Sequence, residues 1–163
     1  MKLRRLLLVG AIIVASMSAA NAASMQEMKD RTAVVATRYL KIWSSSNVNP
    51  VAGVPYMYGR NVQFYGKHYT QADLKSEKRR AISKWPIRHY AHRPGSMRVH
   101  CSVAAETCSA KSIIDFTVLN TRQRTRKSGS ARFELKISFS GPYPIIFYEG
   151  GSLNTRRSRK AEG

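Results

Sequence analysis

From Met25 to Ser45 the apolar residues return at three- and four-residue intervals. Met28, Val35, Tyr39 and Ile42 fall on one side, and Ala36, Leu40 and Trp43 widen the stripe, which predicts an amphipathic helix. The run Ser44-Ser45-Ser46-Asn47 competes with helical hydrogen bonds and predicts a loop. A second, short helix is expected around Pro50 to Tyr58, since proline is tolerated at a first helical position. Val62 to Tyr65 reads as a strand, Gly66-Lys67 as the turn into His68 to Thr70. A third helix then carries Leu74, Lys78, Ala81, Ile82 and Trp85 along one side, with one lysine in the apolar stripe. Thr70 is its expected N-cap with Asp73 at N3, and Pro86 should stop it at about Trp85.

After Pro86 the period changes to that of strands. Ile87 to Val103 reads as one long strand bent near Pro94-Gly95, with two short strands as the alternative. Lys111 to Leu119 is rich in β-branched and aromatic residues. Ala131 to Phe139 alternates cleanly, apolar at Ala131, Phe133, Leu135, Ile137 and Phe139. Gly141-Pro142 turns the chain, and Pro144 to Leu153 completes the sheet. Three helices followed by long antiparallel strands predict an α+β domain in which a strongly curved sheet of about six strands wraps the helices and leaves a concave pocket.

Composition adds an address. Lys2, Arg4 and Arg5, the apolar run Leu6 to Ala15 and the small residues Ala20-Asn21-Ala22 follow one another as in a secretory signal peptide, residues 1–22, rather than an uncleaved anchor. Its removal from the 163-residue chain leaves 141, the size of one domain (23–155) with a basic tail (156–163). The formal charge falls from +19 to +16, because the leader carries three basic residues and no acidic one. A periplasmic or secreted protein of this charge suits anionic envelope polymers or lipid headgroups, not nucleic acid. No later segment is apolar enough for a transmembrane helix. Cys101 and Cys108, flanking a hairpin, are expected to form a disulfide in that oxidising compartment; no Cys/His set has metal-ligand spacing, and no cofactor is expected.

Four stretches, YLKIWSSSN (Tyr39 to Asn47), VQFYGK (Val62 to Lys67), EKRR…KWP (Glu77 to Pro86) and DFTV (Asp115 to Val118), resemble the nuclear transport factor 2-like superfamily, especially exported bacterial domains of unassigned function within it. The resemblance spans roughly Ala33 to Arg156 and implies a cone-shaped α+β fold. Steroid-isomerase-like members place a carboxylate base and a Tyr/Asp pair in the cone, and dehydratase-like members a His/Asp pair. Neither arrangement has a residue-by-residue match here, so the resemblance implies a binding or accessory domain with a pocket for a small amphipathic ligand.

Within that frame Asp115, an acid in an apolar strand, and Glu149, on the strand face of Ile145 and Phe147, are the candidate general bases of an alternative isomerase, cyclase or dehydratase, with Tyr65 supplying a hydroxyl. Tyr39, Trp43, Tyr58 and Trp85 are candidate ligand-lining aromatics, and Lys78 is expected to pair with Asp115 or Glu149. Arg79, Arg80, Arg88 and Arg93 are candidate anion-binding residues, against the alternative of a solvated helix face. The alternating Ala131 to Phe139 strand is also compatible with a homodimer formed through the sheet.

Overall fold

The computed structural model describes residues 14–44 and 49–153, with side chains from residue 24 onward. Helix α1 runs from Val14 to Ser44, a 3-10 turn from Pro50 to Gly53 and the single-turn α2 from Val54 to Met57. Strands β1 (Tyr58–Phe64) and β2 (Lys67–Thr70) form a hairpin, α3 spans Gln71–Lys84, and five strands follow: β3 (Ile87–His92), β4 (Arg98–Ser102), β5 (Thr107–Asn120), β6 (Thr125–Ser138) and β7 (Ile145–Leu153). Most of the expected leader and all of the basic tail from Arg156 lie outside the described residues, although the helix is already formed at Val14. No helix among the described residues is long and apolar enough to cross a membrane.

The third helix starts and stops where local chemistry dictates. The Thr70 hydroxyl accepts from the Asp73 amide at 3.2 Å, and the Asp73 carboxylate reaches back to Thr70, closing the capping box. At the other end the Trp85 amide donates to Ala81 and Pro86 supplies no further donor.

The sheet has seven strands rather than about six, in the order β2-β1-β7-β6-β5-β3, and β4 also pairs with β5. The extra strand comes from the stretch expected to bend. Ile87–His92 pairs with the second half of β5 and Arg98–Ser102 with the first half, end to end along one edge, so the stretch forms the two short strands of the alternative and not one bent strand. The sheet is mixed because β1 runs parallel to β7. The β1–β2 turn falls on Tyr65 and Gly66, one residue earlier than expected, both with positive φ (46° and 82°), as a tight hairpin requires.

Packing follows the periodicities. Ala36, Tyr39, Leu40 and Trp43 of α1 and Leu74 of α3 meet Tyr58 and Val62 of β1, Ala110 and Ile114 of β5, Phe133, Leu135 and Ile137 of β6 and Ile146 of β7. A smaller cluster seats Met28 of α1 on the Cys101–Cys108 disulfide, whose cysteines are facing partners of β4 and β5.

Candidate functional site

Glu149 enters the core because β7 is irregular. Lys136 of β6 pairs with Tyr148, but the next residue, Ile137, pairs with Ile146, so Phe147 is an extra residue in the ladder. The bulge shifts the side-chain phase by one, so Ile146 and Glu149 both face inward. Glu149 was expected to share a face with Ile145 and Phe147, and this phase shift corrects that expectation.

Inside, Glu149 meets Lys78 from the middle of α3. The Lys78 ammonium donates to Glu149 Oε2 at 2.9 Å, to Oε1 at 3.0 Å and to Tyr39 Oη at 2.8 Å. Those three acceptors take all three of its protons. Tyr58 Oη donates to Glu149 Oε2 at 2.5 Å. Its single proton is thereby spent, so the 3.3 Å contact between the two phenol oxygens is a donation from Tyr39 to Tyr58. Every proton in the cluster has an acceptor within it.

Aromatic faces complete the enclosure. The Lys78 nitrogen lies 4.4 Å from the ring centroid of Trp43, 4.7 Å from Phe64, 5.4 Å from Tyr39 and 5.7 Å from Tyr58. A desolvated ammonium gains from such ring faces. Burial pulls the Lys78 pKa down and Glu149 opposes the shift. Burial, reinforced by the Glu149 charge, pushes both Tyr39 and Tyr58 well above the usual phenol value.

Beside this cluster lies a cavity of about 200 Å3. Its wall is largely apolar, with Leu40, Ile82, Ile114 and Phe133, and Tyr65, Glu77, Arg88 and Tyr90 add polar groups. The Arg88 guanidinium donates to the backbone carbonyls of Trp43, Trp85 and Pro86, tying β3 to the ends of α1 and α3.

Six of the expected residues meet here: Tyr39, Trp43, Tyr65, Lys78, Arg88 and Glu149 all line the cavity, and Tyr58 stands behind it within the network. Trp85 does not line it; it caps α3 under the Lys127 side chain. Asp115 is corrected outright as a pocket base. It sits on the outer face of β5, half exposed, in a forked pair with Arg93 and bonded to Ser130 Oγ, which together hold its carboxyl below the usual range. The four expected anion-binding arginines are not brought together. Arg80 pairs with Glu77, Arg93 with Asp115, Arg88 is buried, and Arg79 is exposed on α3. Phe64, Ile82, Tyr90 and Phe133 were missed as lining residues. The alternation of β6 marked Phe133 as inward, but no local signal separates a core aromatic from a cavity wall.

No sequence-family profile matches the chain, and no curated protein does either. Solved structures do match. A nuclear transport factor 2-like superfamily protein from Salmonella enterica superposes with a TM-score of 0.65 at 12% identity, covering 88% of this chain and 99% of that one. A candidate scytalone dehydratase from Novosphingobium aromaticivorans gives 0.66 at 6% identity, covering 82% and 89%. The association domain of the C. elegans kinase CaMKII gives 0.56 at 9%, covering 79% and 98%. The fold of this chain is therefore that of the nuclear transport factor 2-like superfamily. Identities this low speak to fold alone.

Proposed function

From its nuclear transport factor 2-like fold and its caged cavity, we propose that this protein is an exported, non-catalytic binding domain. It takes a small amphipathic ligand into the cavity and turns a basic exterior toward anionic components of the envelope. The observation that carries the reading is the closure of the Lys78–Glu149–Tyr58–Tyr39 network. A general base needs a lone pair directed at its substrate, and a general acid needs a proton to give. Lys78 and Tyr58 take three of the roughly four lone-pair sites of Glu149, and no proton of Lys78 is left over. The cluster then serves as a fixed polar floor, with the apolar part of a ligand against Ile82, Ile114 and Phe133 and its polar end toward Tyr65.

Thermal melting with a panel of single-ring phenols and short-chain alcohols tests the cavity. Binding raises the melting temperature, and Ile82→Trp, which puts an indole into the cavity and keeps all four network residues, should abolish the rise. A panel that never shifts the melt, or shifts that survive Ile82→Trp, would sink the reading.

The buried carboxylate 2.5 Å from a phenol favours one second reading, an isomerase, cyclase or dehydratase with Glu149 as base. Turnover of a small carbonyl substrate that vanishes in Glu149→Gln while the fold persists would establish it. A homodimer through the outer sheet face is a separate expectation, and a monomer on gel filtration at micromolar concentration removes it.

A further inference from the structure

We propose that the end of the molecule formed by the β5–β6 hairpin and the exit of α3 docks on the surface of an anionic lipid bilayer. The inference rests on the basic exterior of the preceding reading and is independent of its cavity. The hairpin turns at Thr121–Arg124, and within six residues it carries Arg122, Arg124, Arg126 and Lys127, all exposed, with no acidic residue among them. No ion pair among the described residues engages any of the four. This is the opposite of Arg80 and Arg93, whose charges are already answered by Glu77 and Asp115.

The same end presents apolar groups beside the cations. Ile87 of β3, Leu119 of β5 and Arg126 of β6 are successive partners across three strands and so share the outer face. Ile87 is 44% exposed, unusual for isoleucine in a sheet. On the other side of the strand, Lys127 lies 5.8 Å over the ring of Trp85, itself half-buried at the α3 exit. Asn120 fastens the two elements, donating to the Lys84 carbonyl and accepting from the Gln123 amide. The turn that presents the arginines is thus held against the helix end. Cations interleaved with a tryptophan and aliphatic side chains suit the headgroup region, where the charges meet lipid phosphates and the apolar bodies sink below them. A soluble polyanion would use the charges and have no use for Ile87 and Trp85.

Co-sedimentation of the full chain with vesicles of phosphatidylglycerol in phosphatidylcholine, against phosphatidylcholine alone, tests the proposal. Binding should require the anionic lipid, weaken with salt, and move tryptophan emission to the blue, a shift absent in Trp85→Phe. R122Q/R124Q/R126Q/K127Q should bind at least about tenfold more weakly. R38Q/K41Q/R60Q/K67Q, which removes the same charge from exposed positions elsewhere, should bind nearly as the parent does. No binding to anionic vesicles, equal loss in both quadruple variants, or tip-dependent binding to heparin that vesicles fail to compete would each overturn it. A chain that ignores vesicles yet still takes up a phenol defeats this inference and leaves the cavity reading standing; the converse result does the reverse.

Discussion

Lys78 and Glu149 lie 71 residues apart in sequence and 2.9 Å apart in the fold, and each is almost wholly buried. An ion pair in that position is held by its geometry. Removing one partner strands a charge in a low-dielectric core, whereas removing both charges together need not be costly.

Lys78→Met alone should therefore destabilise the protein by about 3–5 kcal/mol in urea unfolding. The double variant Lys78→Met/Glu149→Gln keeps an acceptor for Tyr58 and should be less destabilised than Lys78→Met. Strictly additive losses in the double-mutant cycle would mean that the two groups are not coupled.

Asp115 offers the contrast. Its pair with Arg93 is exposed to water on the outer face, so Asp115→Ala should leave the melting temperature close to that of the parent. A loss comparable to that of Lys78→Met would contradict this placement.

The buried phenols set the alkaline limit. The folded pKa values of Tyr39 and Tyr58 lie above 10.0, so between that value and their own pKa the folded chain keeps protons that the unfolded chain has lost. Stability from this source is fully present below pH 10 and falls as pH rises beyond it. Lys78 has the opposite sign, since its folded pKa is lowered and its contribution rises with pH only up to the unfolded value of 10.5. Two phenols outweigh one amine, and urea midpoints should drop between pH 9 and pH 11. Tyr58→Phe should flatten the drop; an unchanged slope would remove Tyr58 from the account.

Adjacent glycines on β7 should respond unequally. Gly151 has φ +156°, and a Cβ there would overlap the backbone carbonyl oxygen of Arg132, so Gly151→Ala should cost about 1–3 kcal/mol or more. At Gly150 the nearest obstacle is the far end of the Tyr148 side chain, which can swing aside. Chemical denaturation of the two variants should show the smaller loss for Gly150→Ala.

Reduction of Cys101–Cys108, or the double serine variant, should lower stability by about 2.5 kcal/mol through the lost constraint on the unfolded chain. Met28 of α1 packs on this disulfide, so hydrogen exchange should increase around Met28 as well as in the hairpin. Faster exchange confined to the hairpin would show that the helix does not depend on the bridge.

What was legible in the sequence was what local chemistry decides. The Thr70–Asp73 box and Pro86 bound α3, the alternation of β6 named its inward residues, and Lys78 stood out as a cation in an apolar stripe. Asp115 was misread because β5 carries apolar residues on both faces: Ile113 is half-buried outside and Ile114 buried inside, so a period of two could not be phased from sequence. The facing of Glu149 was lost for a related reason. An extra residue in a ladder is a property of two strands together, and nothing in IIFYEGG announces it. The spread of the arginines depends on which acids approach them, which only the tertiary fold determines.

The bulge at Phe147 uncouples facing from spacing in β7: Ile146 and Glu149 stand three apart in sequence yet share the inner face. Loss of that one codon would make the ladder regular, with Ile146, Tyr148 and Glu149 alternating in, out and in, and would keep the carboxylate inside with Lys78, Tyr39 and Tyr58. A strand of the present length that took Phe147 into a regular ladder would instead turn Glu149 out to water. Among divergent chains of this shape, the marker of the site is therefore the partner the carboxylate takes on β6, Glu149 opposite Leu135, and not its distance in sequence from Ile146.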